Sequence, residues 1–418
     1  MDPYAMTTGV LRSPDFIRFL SSHVANELGS NISRVAFPLV AVLVLHAGAF
    51  EVGLLSALQT AAFLAIGLPA GVWVDRLSKR RVMIAADLVR FVLLASVPVA
   101  YALGLLSIGM LLVVALLAGT AQVFDDVADQ TYLPELVDRQ SLSSGNSKLE
   151  FVRSGGALAG PSLGGVLVQA LGPPLTVLAT ALASLGSALF LASIRAPERR
   201  VRAQDRPNGM WRGIREGLVF VWGDRLLRAI VATTAGTNLC ISAVLGLSVL
   251  FLAEEVGLAP GVIGVLLMSG AVGGLLGGLT GSRLFARYGT ARVTWLSIAV
   301  SSPFGLLLPM TQADWRVSFF TVTSIALSWG AILYNVGQLT YRQSVAPEGM
   351  LGRVNATVRF VVWSTMPVGA LLGGLVAQHV GVRTALWVFM CGRLVSFVPL
   401  LFSPLPRMRD FDQARAEP

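Results

Sequence analysis

The chain has 418 residues, 54% of them hydrophobic and only 13% charged, with a formal net charge of +9 and a mean hydropathy of +0.71. So few charges cannot coat the surface of a soluble protein of this size, which leaves an integral membrane protein. Cys240 and Cys391 both fall in apolar stretches, so no disulfide framework, metal cluster or other cofactor is expected.

Twelve apolar stretches long enough to cross a hydrocarbon core of roughly 30 Å follow one another. They run over 15–46, 51–74, 82–103, 107–136, 142–171, 174–194, 226–253, 260–284, 291–311, 317–345, 351–379 and 384–404. Segments of this length and number satisfy their backbone in lipid only as helices. Residues 1–14 carry Asp2 and lack the short apolar core of a cleavable signal, so the first span is expected to target the chain.

In chain order, span 1 places His23, Glu27, Asn31 and Arg34 at spacings of four, four and three, one stripe of a helix. The break after span 2 reads "GVWVDRLSKRR", with Gly71, Asp75, Arg76, Arg80 and Arg81. Span 4 carries Gln122, Asp125, Asp126 and Asp129. An ionisable group inside a span is a functional candidate by default. Three clustered aspartates cannot all ionise in a low-dielectric site, so at least one is expected to hold a proton near neutral pH. That assigns proton coupling to Asp126, Asp129, Asp125 and Glu27, with Arg34 as a carboxylate partner. Glu150 and Arg153, three apart at the start of span 5, are expected to pair or to act in gating. Later in span 5, "GGALAGPSLGG" places Gly156, Gly160 and Gly164 four apart beside Pro161 and Gly165. This bare stripe lets another backbone approach, Pro161 favours a bend, and the glycines of span 8 ("SGAVGGLLGGLTGS") are the expected partner. Arg90, Arg359 and Arg393 are within reach of span ends and take no functional role.

The polar interval 195–225, holding an amphipathic helix over 210–225, separates two sets of six spans. The expected organisation is a bundle over 1–194, the linker, a second bundle over 226–406 and a tail over 407–418. A shift of 209 residues brings Asn146 onto Asn355, Gly160 onto Gly369 and Asp129 onto Gln338; a shift of 211 brings Arg76 onto Arg287 and Glu27 onto Asn238. Such duplicated halves are a transporter's plan. Lys and Arg concentrate in the even-numbered breaks, and Arg316 and Arg383 alone occupy the odd ones. The loop-charge rule then puts both termini on the cytoplasmic side, so the positive charge reflects topology and needs no nucleic-acid partner.

"GVWVDRLSKRR" resembles the loop signature of the major facilitator superfamily, and "GALAGPSLGG" resembles the fifth-helix motif of its antiporters. The segments 131–150 and 334–360 are similar to the branch holding macrolide-efflux proteins and enterobactin exporters. The resemblance covers essentially the whole chain. It implies two pseudo-symmetric six-helix bundles, and a cavity lined by spans 1, 4, 7 and 10. His23, Asn31, Arg34, Gln122, Asn238, Ser242, Tyr334, Asn335, Gln338 and Trp363 are the expected substrate contacts. It implies a latch in which Asp75 ties span 2 to span 11, weakened in the second half, where Ala286 takes the aspartate position. Asp126 sits where the branch has its acid, while Asp125 and Asp129 depart from the pattern. The implied activity is proton-coupled export of a small amphipathic or hydrophobic compound across the inner membrane by a monomer. An uptake symporter on the same fold is the alternative, and a lipid-handling membrane protein a more distant one. No nucleophile elbow or phosphate loop suggests an enzyme.

Overall fold

The computed structural model describes residues 13–74, 77–137, 142–196, 210–345 and 350–411. Asp75 and Arg76 therefore lie outside the described residues. Among the described residues the chain forms α1 (Pro14–Leu39), α2 (Ala49–Val74), α3 (Lys79–Ala102), α4 (Ile108–Leu136), α5 (Leu142–Leu171), α6 (Pro173–Ser193), α7 (Arg225–Leu250), α8 (Pro260–Tyr288), α9 (Thr290–Ser301), α10 (Val317–Val345), α11 (Leu351–Val380) and α12 (Val382–Val395). A linker helix, Met210–Gly223, precedes α7. Among the described residues, eleven helices are long and apolar enough to span a membrane. The twelfth, α5, is diluted by its six glycines and by its polar first turns around Lys148 and Glu150.

Helix starts follow from side-chain caps. The hydroxyls of Ser13, Ser78 and Ser107 accept from the amides of Phe16, Arg81 and Met110, and Asp224 accepts from Leu227 at 2.7 Å. The α5–α6 and α11–α12 junctions turn at Gly172 and Gly381, with φ of 83° and 84°, and these positions are related by the same 209-residue shift. Two segments lose α-helical form where prolines intervene. After α9, Pro303 and Pro309 accompany a 3₁₀ stretch over Ser302–Met310; after α12, Pro399 starts a separate turn, Val398–Leu401.

The chain divides into one compact unit of residues 1–204 with 258–268 and another of 205–257 with 269–418. In the first, α1 packs on α5 and α6, α3 on α4 and α6, and α2 on α4. In the second, α7 packs on α11 and α12, and α9 on α10, so the pairings recur with an offset of six helices. Residues 407–411, expected as tail, are built into the second unit. The Arg409 carbonyl accepts from the amides of Ala291 and Arg292, Asp410 accepts from the Thr290 amide at 2.8 Å, and the Phe411 ring packs tilted against Tyr341, centres 5.0 Å apart. The tail thus supplies a capping carboxylate to the first turn of α9. Arg316 and Arg383, the two exceptions to the loop-charge bias, are both neutralised. Arg316 forks onto Asp314, holding its carboxyl below the usual carboxylate range, and Arg383 pairs with Glu255 at 3.3 Å.

The glycine stripe of α5 faces a different partner from the one the sequence suggests. A Cβ on Gly156 would lie 3.1 Å from the Glu27 Cβ, one on Gly160 would overlap Asn31, and one on Gly164 would lie 3.1 Å from the Ile32 carbonyl. The stripe seats α1, inside its own unit. In the other unit Gly369 and Gly373 do the same for α7, against Leu239 and Ala243. The neighbouring edge of α5 meets the first turns of α8. The Pro161 carbonyl and Gly165 approach Gly264, and Gly165 also approaches Pro260. Of the α8 glycines expected there, Gly270 faces Ser328, Gly277 faces Ile332 and Gly281 faces Leu333, all of α10; Gly278 meets nothing. A small-residue stripe states that a backbone is near, and only three-dimensional topology states which one. The helix runs through Pro161 without interruption.

Candidate functional site

In the first unit, α1 presents two polar ridges. Asn26 and Ser30 form one, His23, Glu27 and Asn31 the other, about 80° away at 100° per residue. Facing them on α4, Asp125 and Asp129 are one turn apart. Edge-on packing of Phe19 on Tyr132, 5.3 Å between ring centres, fixes the register.

The inner ridge, itself half-buried, meets nearly buried charged groups. Asn26 Nδ2 donates to an Asp125 oxygen, while Arg90 Nη1 donates to Asn26 Oδ1 at 2.7 Å and Arg90 Nη2 to Ser30 Oγ at 3.0 Å. Arg90 Nη1 is also 3.8 Å from Asp87 Oδ1. Asp87 is 0% exposed, Asp125 2% and Arg90 5%. Both Asp87 oxygens and Asp125 Oδ1 have no hydrogen-bond partner among the described residues. Asp87 thus lies against this guanidinium and Asp125 is joined to it through Asn26, where charge is costly to bury. Sequence reasoning missed Asp87 and Asn26 and set Arg90 aside. The available signal was the three-residue spacing of Asp87 and Arg90 deep in an otherwise apolar span.

The outer ridge borders a cavity of about 440 Å³ lined by His23, Asp129, Gln130, Asn146, Glu150 and Arg153, among others. His23 Nδ1 is 3.5 Å from Asp129 Oδ1, and Nε2 is 3.9 Å from Glu27 Oε1. Arg153 bridges Glu27 (3.5 Å) and Glu150 (3.7 Å). Asn31 Nδ2 donates to the Glu27 carbonyl at 2.8 Å and to its carboxylate at 3.3 Å. Three carboxylates here outnumber one arginine, with a histidine between two of them. The arrangement suits a cationic or hydrogen-bonding ligand and can exchange protons with it.

The remaining sequence candidates scatter. Asp126 accepts from Gln122 on its own helix at 2.7 Å and lies outside the cavity lining. Arg34 is exposed and forms no ion pair among the described residues; Arg90 and Arg153 take the part expected of it, because they approach from neighbouring helices. At the loop after α2, Arg80 Nη2 donates to the Ala192 carbonyl at 3.0 Å, Arg81 is exposed, and α2 runs through Gly71 to Val74. Beside them, Lys79 pairs with Glu135 across the ends of α3 and α4.

The second unit carries an uncharged version of the same contact. His23 and Asp129 correspond to Thr234 and Gln338 under the two sequence shifts, and Thr234 Oγ1 donates to Gln338 Oε1 at 3.4 Å. Tyr334 donates to the Ile230 carbonyl, Gln338 to Asn335 and Ser242 to the Met366 carbonyl. Tyr334, Gln338 and Ser242, expected at a cavity surface, are instead buried, because their polar atoms satisfy backbone and neighbouring side chains. Asn238 is half-buried; Asn335 and Trp363 are exposed, Trp363 beneath the Arg359 guanidinium at 4.2 Å.

The family described as "Transmembrane secretion effector" matches residues 7–418. The chain is 30% identical over 423 residues to the multidrug efflux pump Tap of Mycolicibacterium fortuitum, covering 97% of this chain and 99% of that one. It is 22% identical over 349 residues to macrolide efflux protein A of Streptococcus pyogenes, covering 83% and 85%. Among solved structures, a bacterial homologue of the iron transporter ferroportin in an inward-facing state superposes with a TM-score of 0.74 at 18% identity, covering 94% of this chain and 99% of that one. The nucleoside transporter NupG gives 0.72 at 14% identity, covering 93% and 98%. With its all-helical fold and a family match along nearly its whole length, the chain belongs to the transmembrane secretion effectors of the major facilitator superfamily and is a membrane transporter.

Proposed function

We propose that the chain exports a small amphipathic or hydrophobic compound in exchange for protons, by alternating access, from a cytoplasmic membrane in which both termini face the cytoplasm. The observation that carries this reading is the ionisable chain of contacts at the cavity, where Asp129, His23 and Arg153 line it and Glu27, outside the lining, stands within 4 Å of both His23 and Arg153. A carboxylate that takes either a proton or a cationic or hydrogen-bonding ligand makes the two flows mutually dependent. Of the four acids read from the sequence, Asp129 and Glu27 are assigned this exchange. Each proton moving inward down 100 mV contributes about 2.3 kcal/mol. Efflux relatives support the direction of transport, and the basic even-numbered breaks support the orientation. Gating stays with the loop at 71–81, including Asp75 and Arg76, and with the α5–α8 contact at Pro161 and Gly165.

The test is transport in proteoliposomes under an imposed pH gradient, with ethidium and a macrolide antibiotic as probes. Wild type is expected to move a probe against the proton flow, and Asp129→Asn to lower the ratio of driven transport to probe exchange by about tenfold. Movement of probe with the protons would establish the symporter instead. Wild-type transport indifferent to the gradient would overturn proton coupling.

A further inference from the structure

The cluster of nearly buried Asp87, Arg90 and Asp125 with half-buried Asn26 has no part in the cavity contacts. It joins three helices: Asp87 and Arg90 come from α3, Asp125 from α4, and Asn26 and Ser30 from α1. Ser187 of α6 also faces Asp87, and Asp126 and Asp129 of α4 add further negative charge to its surroundings. Arg90 is the one cation at hydrogen-bond or ion-pair distance among the described residues, and it spends both terminal nitrogens on Asn26 and Ser30. With both carboxylates ionised the group carries a net negative charge where water is excluded; with one proton it is neutral. The three carboxylate oxygens that accept no hydrogen bond among the described residues are where that proton has room to reside. Asp129, one turn from Asp125 on the same helix, lines the cavity, so a route from solvent ends beside the cluster.

We propose that Asp87 and Asp125 share one proton around Arg90, forming a second, buried proton site behind the cavity carboxylates, with Asn26 as the link to α1. The site deepens the antiport reading and rests on it. Loss of the proton frees a carboxylate to compete with Asn26 and Ser30 for Arg90, so the proton's presence is reported to α1, the helix that also carries His23 and Glu27. No oxidant, metal or covalent step is involved; one proton binds and one proton leaves.

Difference infrared spectroscopy of the purified full-length protein tests the site directly. Wild type at neutral pH is expected to show a buried carboxylic acid C=O stretch that exchanges slowly in deuterium oxide, and Asp87→Asn and Asp125→Asn are each expected to remove it. In proteoliposomes both substitutions should lower the ratio of gradient-driven transport to ethidium exchange by about tenfold and flatten its pH profile. If either asparagine variant fails to fold, Asp87→Glu and Asp125→Glu keep the test: each should shift the same band. A band that survives both substitutions unmoved overturns the shared proton. So does gradient-driven transport by Asp87→Asn with the wild-type pH profile. Gradient-independent transport by the wild type would instead sink the antiport reading, while the infrared result still decides whether the buried proton exists.

Discussion

Replacing Gly160 by alanine probes the seat of α1 on α5. The added Cβ overlaps the Asn31 Cβ and lies 3.3 Å from that residue's Cα and carbonyl carbon, so backbone must move and no flexible side chain can yield. Overpacking of this kind costs about 1–3 kcal/mol. The helix-propensity gain of Gly→Ala, about 1 kcal/mol, offsets part of it, leaving a net loss of up to about 2 kcal/mol. Gly155 is the internal control: it lies five residues away on the same helix, and a Cβ there meets nothing within 4 Å. Gly155→Ala should therefore be neutral or slightly stabilising, separating the two variants by about 2 kcal/mol. Thermal unfolding in detergent, followed by intrinsic fluorescence, measures the difference. Gly160→Ala should also lose transport, because Asn31 holds Glu27 beside the cavity through its Nδ2. Equal melting of Gly160→Ala and Gly155→Ala would refute the packing assignment.

Two further outcomes follow from contacts at the helix ends. Lys79→Met leaves Glu135 nearly buried without its cation and should cost about 3 kcal/mol, with much of the loss recovered in the charge-swapped Lys79→Glu, Glu135→Lys double variant; a thermal double-mutant cycle reads it. Asp410→Ala should lower stability by about 1 kcal/mol by uncapping the first turn of α9, detected as earlier protease cleavage near residue 289 on heating.

The spans were legible because a bilayer demands long apolar helices, and even in glycine-rich α5 the apolar residues Leu158, Leu163, Val166, Leu167 and Val168 marked a span. His23, Glu27 and Asp129 were legible because charge inside a span is expensive and spacing puts the first two on one ridge. Asp87 and Arg90 were not, since a lone acid and a lone base three apart read as a local pair that reaches a span end; only the packing of α1 and α4 shows that both are sealed in. Asn26 hid between His23 and Glu27, on the neighbouring ridge. The partner of the α5 glycines was unreadable for a different reason. Local pattern encodes the closeness of an approach, while the identity of the approaching helix depends on how all six helices wind.

The polar ridges of α1 set a condition on biosynthesis. As the chain leaves the ribosome, α1 reaches the membrane with His23, Asn26, Glu27, Ser30 and Asn31 before α3, α4 and α5 exist to receive them. Alone in lipid such a helix is poorly retained. Its polar ridges stay without their partners until α3 and α4 arrive and α5 delivers its glycine groove, four helices later. The corresponding helix of the second unit, α7, has no acidic or basic residue between Arg228 and Glu254 and needs no such wait. The two halves, alike in how their helices pair, therefore differ in how they can be made: the first assembles as a set, whereas the second can begin with a helix already at home in the bilayer.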